Sequence, residues 1–281
     1  MLQALTFDVT GTLIHSPRLG EIYSEILQRH GIAIEPAEAR RLIGVVWREL
    51  ACLADPGRDR FTSHPEGERG WWRRFVERLC ELHGAAPPSR FATAELFHYF
   101  GTAGGWEVYP EVPKVLAELR EQGLRLGVIS NWDSRLPGLL DRLGLARYFD
   151  AVTCSAAAGC EKPDRRIFLQ ALRSLGVDPG AALHIGDSRL EDVEGAIAAG
   201  LRALFLDRVD RAERGEREDR PEPVKAKSGG LLARKGAGNK ARKSVAVTEA
   251  RRLRNLAGLP YWVTTEARWL AEGGPGSVLD L

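Results

Sequence analysis

Apolar residues follow two different patterns along the chain, and the change from one to the other divides it into regions. Residues 2–7 form an apolar run that predicts a buried strand, and a glycine-containing loop follows at 8–12. From 17 to 104 the apolar residues recur at helical spacing, interrupted at 54–66 by a loop rich in Pro, Gly and Asp. We therefore expect a separate helical module inserted after the first strand.

From residue 106 the pattern becomes an alternation of helices and strands. Apolar runs predict strands at 124–130, 150–154, 182–185 and 201–206. Helical spacing predicts helices at 111–122, 134–143, 164–175 and 190–199. This alternation is typical of an α/β fold, a Rossmann-like parallel sheet with helices on both faces. Since the active sites of such folds lie at the carboxyl ends of the strands, polar residues at those ends are the candidates for function.

Residues 208–257 depart from this alternation, with few large apolar residues and many Lys, Arg and Gly. They predict a basic, disordered insertion or an extended surface loop. Its cations include Lys225, Lys227, Arg234, Lys235, Lys240, Arg242 and Lys243. A Gly-rich basic stretch without aromatic residues suits contact with a nucleic-acid backbone, although a solvated loop is the commoner explanation. Residues 258–271 then predict a short final strand and a helix that returns to the core.

Composition narrows the class of protein. The net charge of +2 gives no general attraction to nucleic acid or membranes. No run of 18 apolar residues predicts a membrane span, and we find no signal-peptide pattern at the N-terminus. The four cysteines form no CxxC pair and no His cluster accompanies them, which favours reduced thiols in a cytoplasmic protein.

The first candidate for chemistry is the loop Phe7-Asp8-Val9-Thr10-Gly11-Thr12. A carboxylate ends a buried strand, and Gly11 permits a sharp turn whose backbone N–H groups can point at a phosphate. An aspartate that caps a turn explains this loop, taken alone, about as well.

Two further strand ends carry candidates for phosphate binding. Ser130 and Asn131 follow an apolar strand, and a hydroxyl there can donate a hydrogen bond to a phosphoryl oxygen. Taken alone, these two residues are better explained as the start of the next turn. Lys162 precedes Pro163, which fixes the backbone, and its ammonium can neutralise a phosphate and a carboxylate. A solvated lysine is the commoner explanation in isolation.

The last candidate is the stretch from His184 to Asp192. A strand delivers Asp187 to its carboxyl end, and Asp192 follows within the next helical turn. Carboxylates that meet Asp8 there would form an oxygen-ligand site suited to Mg²⁺. Capping of the helix by Asp187 or Ser188 is the alternative. Spacing alone does not decide between Glu191 and Asp192 as the supporting carboxylate, and we favour Asp192.

As a set, these elements resemble the haloacid dehalogenase superfamily. The motifs that carry the resemblance are FDVTGT, VISN, KPD-x-x-IF and IGDS-x-x-x-D-x-x-GA-x-x-AG. The resemblance implies a core of 1–16, 105–207 and 258–281, a helical cap at 17–104 placed after the nucleophile loop, and an insertion at 208–257. The pair Trp71–Trp72 and the sequence ISNWD further resemble a branch of haloacid dehalogenase-like domain proteins of poorly defined substrate.

The resemblance also implies a role for each candidate. Asp8 attacks phosphorus and forms an aspartyl-phosphate, while Ser130 and Lys162 hold the phosphoryl group of a small phosphorylated metabolite. The implied Mg²⁺ ligands are Asp8, Asp187 and the Thr10 carbonyl, with Asp192 in support. Gly11, Thr12 and Asn131 are predicted to bind the substrate.

Thr10 departs from the pattern of most phosphatases in this superfamily, which carry a second aspartate there. Thr cannot act as a general acid near neutral pH, and such catalysis contributes roughly 10²–10⁴-fold. The sequence thus leaves two hypotheses open, a Mg²⁺-dependent phosphatase and a weak or silent binding or regulatory protein. A third, a 2-haloacid dehalogenase, is disfavoured because those enzymes need no metal and typically lack the pair Gly186-Asp187.

Overall fold

The computed structural model describes residues 1–52, 57–208 and 252–271, and its core is a six-stranded parallel sheet. In chain order, the core strands are Ala4–Phe7 (β1), Arg125–Ser130 (β4), Ala151–Cys154 (β5), Ala182–Gly186 (β6), Arg202–Leu206 (β7) and Arg252–Leu253 (β8). Their spatial order is β5-β4-β1-β6-β7-β8. β1 and β6 are buried along their whole length, which explains why the sequence shows them as continuous apolar runs.

Helices cover both faces of this sheet, and the predicted fold class is confirmed. They are Val112–Glu121 (α5), Leu136–Arg142 (α6), Ser155–Ala158 (α7), Arg165–Leu175 (α8), Gly195–Ala198 (α9) and Leu259–Ala271 (α10). On one face, residues of α5, α6 and α10 pack against Phe7 and Val128. On the other, residues of α8 and α9 pack against Ala4 and Ile129. The helix predicted at 190–199 begins instead as a wide, π-type turn over Arg189–Glu194.

The cap is a four-helix unit with a hydrophobic cluster of its own. Its helices are Leu19–Arg29 (α1), Pro36–Cys52 (α2), Gly67–His83 (α3) and Arg90–Tyr99 (α4). It is inserted between two short antiparallel strands, Ile14–His15 (β2) and Glu107–Val108 (β3). Trp71 lies inside the cap cluster, whereas Trp106 packs against both the cap cluster and the core.

The predicted boundaries of the basic segment, 208–257, are wrong at both ends. Arg208 is buried, and its guanidinium donates to the Thr12 carbonyl at 2.8 Å and pairs with Glu111 at 2.8 Å. Near the other end, β8 joins the sheet and Leu256 is buried in the core. The strand predicted within 258–271 is replaced by helix from Leu259 onwards. A two-residue strand beside a basic run is too short to show periodicity. The cations of the predicted nucleic-acid contact, at 225–243, lie outside the described residues.

Within the described parts of the chain, no helix is both long and apolar enough to cross a bilayer. Cys80, Cys154 and Cys160 are buried and hold free thiols.

Candidate active site

Three core strands deliver the candidate residues to one edge of the sheet. Asp8 directly follows β1, Ser130 ends β4, and Asp187 directly follows β6. β1 lies between β4 and β6 and runs parallel to both, so these three carboxyl ends are adjacent. Lys162, from the loop before α8, reaches the same point.

Asp8 lies at the centre of the cluster and is only 6% exposed. Its Oδ1 accepts a hydrogen bond from Ser130 Oγ at 3.0 Å and one from Lys162 Nζ at 2.6 Å. Burial raises the pKa of Asp8 above its usual value, although the Lys162 ammonium opposes this shift. The sequence-predicted nucleophile, hydroxyl donor and cation are therefore in direct contact.

Asp192 is the second acceptor of Lys162. Lys162 Nζ donates to Asp192 Oδ1 at 2.6 Å, so one ammonium bridges two buried carboxylates. Burial alone would lower the pKa of Lys162, but the Asp192 and Asp8 carboxylates raise it above its usual range. The Ser188 backbone N–H donates to Asp192 Oδ2 at 2.9 Å, and His184 Nε2 lies 3.1 Å from Oδ1. Both oxygens of Asp192 thus contact protein donors, which fits a supporting role.

Asp8, Asp187 and Asp192 form the carboxylate cluster expected for a cation. One oxygen from each lies within 4.8 Å of the others. Two glycines make this approach possible. A Cβ on Gly11, whose φ is +83°, would lie 2.1 Å from Asp187 Oδ2, and a Cβ on Gly186 would lie 2.1 Å from Asp192 Cγ. Three carboxylates brought this close together suit Mg²⁺, a small ion that prefers oxygen ligands.

The side chain of Asn131, a predicted substrate contact, binds the backbone of Lys162. Its side-chain amide donates to the Lys162 carbonyl at 3.0 Å, and its side-chain oxygen accepts from the Lys162 backbone N–H at 2.7 Å. Because both polar ends are occupied by the backbone of Lys162, Asn131 fixes the loop that carries the lysine.

The backbone amides of Gly11 and Thr12, two predicted substrate contacts, form hydrogen bonds within the turn. The Gly11 N–H donates to the Ile14 carbonyl at 2.8 Å, and the Thr12 N–H donates to the Val9 carbonyl at 3.2 Å. Thr12 is fully buried. These amides stabilise the turn itself, and binding of the substrate by Gly11 and Thr12 stays a prediction. Thr10, by contrast, is exposed and lies two residues beyond Asp8.

Arg60, in the cap, is a site residue that the sequence did not reveal. Its Nε lies 2.7 Å from Glu161, the residue before Lys162, and its Nη2 lies 3.9 Å from Glu191. Arg60 is 5% exposed. Arg60 belongs to the loop before α3, far in sequence from the other site residues. It borders the site only because the cap packs onto the core, which the sequence does not reveal.

His184 and Thr6 were missed as well. They are direct neighbours across the β1–β6 pair, and Thr6 Oγ1 lies 2.9 Å from His184 Nδ1. Burial lowers the pKa of His184 below its usual value, against the pull of the Asp192 carboxylate. One feature of the sequence could have indicated them. Each is a polar residue inside an otherwise apolar strand, and each lies two or three residues before an aspartate of the site.

Known proteins of one family are similar to this chain in sequence and in fold. The profile of the haloacid dehalogenase-like hydrolases matches residues 2–200. Human haloacid dehalogenase-like hydrolase domain-containing protein 3 is 35% identical over 209 residues, which cover 73% of this chain and 82% of that protein. Glyceraldehyde 3-phosphate phosphatase of Methanopyrus kandleri is 30% identical over 212 residues, 72% of this chain and 82% of that protein. The structure of a 2-haloacid dehalogenase from Pseudomonas syringae is 26% identical with a TM-score of 0.57, and the match covers 96% of this chain and 100% of that one.

Proposed function

Because the chain belongs to the haloacid dehalogenase-like hydrolase family, we propose that it is a Mg²⁺-dependent phosphatase of small phosphorylated metabolites. The observation that carries the proposal is the contact of Asp8 with Lys162 and Ser130 inside a cluster of three carboxylates. The similarity to a sugar-phosphate phosphatase supports hydrolysis of a phosphomonoester.

In this mechanism a carboxylate oxygen of Asp8 forms a bond to phosphorus, and the bond from phosphorus to the ester oxygen breaks. The alkoxide leaves and takes a proton from water. A second water then hydrolyses the aspartyl-phosphate, which releases inorganic phosphate and restores the Asp8 carboxylate. Lys162 and Ser130 hold Asp8 and are placed to neutralise and hydrogen-bond the phosphoryl oxygens. Asp8, Asp187 and the Thr10 carbonyl, supported by Asp192, would hold Mg²⁺, which neutralises negative charge on the phosphoryl group.

Thr10 favours a second candidate, a weak or silent member that binds a phosphorylated ligand without efficient turnover. Its exposed hydroxyl stands where most related phosphatases carry an aspartate. Without a general acid, esters with poor leaving groups are hydrolysed slowly. The two candidates differ in rate and share the residues of the site.

The test is hydrolysis of an aryl phosphate and a panel of sugar phosphates by wild-type protein, with Mg²⁺ and with a chelator. We expect turnover only with the metal, and a fall of at least roughly 10³-fold in Asp8→Asn, since the nucleophile is lost. Asp141→Asn, which changes an exposed aspartate on α6, serves as the matched control and should retain full activity.

Three results would overturn the phosphatase proposal. Turnover by Asp8→Asn equal to wild type excludes the covalent mechanism. Binding of Mg²⁺ and phosphate without turnover of any ester supports the silent candidate. Metal-independent release of chloride from 2-chloropropionate identifies a dehalogenase.

A further inference from the structure

His184 is a polar side chain fully buried in the middle of the core. It lies on β6, between Leu183 and Ile185 of the hydrophobic cluster. A buried imidazole is costly unless both ring nitrogens find partners. Here Nδ1 lies 2.9 Å from Thr6 Oγ1, and Nε2 lies 3.1 Å from Asp192 Oδ1. Both ring nitrogens therefore have a specific contact.

The partner at Nε2 determines which ring nitrogen carries a proton. Asp192 accepts hydrogen bonds from Lys162 and from the Ser188 N–H, and an ionised carboxylate can only accept. His184 must therefore donate from Nε2, in the neutral ring as well as in the charged one. The ring also packs edge-on against Phe168, with centroids 5.2 Å apart at 88°, which restricts its rotation.

This donor acts on the oxygen that binds the lysine. Asp192 Oδ1 receives both His184 Nε2 and Lys162 Nζ, and the same ammonium donates to Asp8 Oδ1 at 2.6 Å. The contacts form one buried chain, Thr6–His184–Asp192–Lys162–Asp8. Asp8 changes its charge distribution when it is phosphorylated, so Lys162 needs an anchor that does not change during the reaction.

We propose that His184 is a positioning residue, which holds Asp192 in the orientation that places the Lys162 ammonium beside the nucleophile. The proposal rests on the phosphatase function for its kinetic consequence only. His184 has no contact with the oxygen atoms of Asp8 in this chain of hydrogen bonds, and it acts through Asp192. Ligand-supporting residues of this kind typically contribute about 10–100-fold to activity.

The kinetic test compares three variants. His184→Leu removes the donor at similar bulk, and we expect kcat to fall by about 50-fold with little change in KM. His184→Gln places an amide N–H near the position of Nε2 and should recover most of this loss. Thr6→Val removes only the distant hydroxyl and should lower kcat by a few-fold. If His184 were needed only for packing, the Leu and Gln variants would lose stability equally. The Gln variant would then recover none of the lost kcat.

A second measurement does not depend on activity. The protein contains six histidines. In ¹⁵N-histidine-labelled full-length protein, the signals lost in His184→Gln identify the His184 ring. We expect its Nε2 to be protonated. A ring protonated only at Nδ1 contradicts the proposal, and so does wild-type kcat in His184→Leu. Absence of any phosphatase activity in wild-type protein would sink the proposed function, while the tautomer would still test the inference.

Discussion

Two of the contacts between the cap and the core differ in which side supplies the charged groups. At the Arg60 contact the cap supplies the cation, and the core supplies Glu161 at 2.7 Å and Glu191 at 3.9 Å. At the second, the Arg135 contact, both charges belong to the core, since Arg135 pairs with Asp133 at 2.5 Å. The cap groups that contact that pair directly are neutral.

Those neutral groups come from two cap helices. Trp72 Nε1, on α3, donates to Asp133 Oδ2 at 2.7 Å. Arg135 donates to the Phe97 carbonyl, on α4, and its guanidinium lies 3.7 Å from the Phe97 ring centroid. Asp133 is fully buried, and its carboxylate oxygens accept hydrogen bonds from Trp72 and Arg135.

This difference determines what happens to charge when the cap moves. Separation at Arg60 splits an ion pair between the two units, and each charge regains water. Separation at Arg135 leaves the ion pair intact in the core, and the cap groups that this pair loses are neutral. We therefore expect the Arg60 contact to respond to salt and to the charge in the active site, and the Arg135 contact to be insensitive to both.

The largest expected effect follows removal of the Arg135 guanidinium. Arg135→Met leaves the Asp133 carboxylate buried without its cation, and we expect the free energy of unfolding to fall by about 3 kcal/mol. Urea denaturation measures this change. Arg173→Met, on an exposed position of α8, is the control and should alter stability by less than about 0.5 kcal/mol. A loss as small as that of the control would show that Asp133 is solvated.

Arg60→Met should have a smaller effect on stability, because Glu161 can regain water when the cap shifts. We expect a loss of about 1.5 kcal/mol at low ionic strength. At about 1 M salt, where screening acts within a few ångströms, this difference should shrink while that of Arg135→Met persists. Arg48→Met, exposed on α2, provides the control within the cap. Equal salt dependence of the Arg60 and Arg135 variants would contradict the comparison.

The smallest effect is expected at the rim of the Arg135 contact. Ser134 donates to the Glu68 carboxylate of the cap from its N–H at 2.9 Å and from its Oγ at 2.6 Å. Because this contact is exposed, Ser134→Ala should change the free energy of unfolding by less than about 0.5 kcal/mol. A loss above about 1 kcal/mol, measured in the same urea series, would mean that the rim helps to hold the cap.

The arrangement of the central residues could be predicted because it follows from strand order. Asp8, Ser130 and Asp187 each end or follow an apolar run, and parallel strands bring such ends to one edge. The roles of Asn131 and Thr12 could not be predicted. A polar residue beside a phosphate site can bind substrate or the backbone, and only the direction of its hydrogen bonds distinguishes the two.

The missed residues depend on contacts between distant segments. Thr6 and His184 pair across 178 positions, and Arg60 contacts Glu161 across 101. No local periodicity reports such pairs. The sequence analysis missed β8 for a different reason. This strand has only two residues, which are too few to establish an alternation of apolar and polar positions.

The short β2–β3 ladder has a consequence for how this molecule could be altered or could diverge. Ile14 faces Val108 and His15 faces Glu107, so the chain leaves the core and returns to it at neighbouring points, about 5 Å apart. The segment between β2 and β3 is therefore an insertion whose two ends lie side by side. A tight hairpin turn could connect β2 directly to β3. A different domain with adjacent termini could do the same, and neither change would alter the order of the core strands. The cap can therefore be exchanged as a unit, while the residue cluster at the sheet edge stays in place.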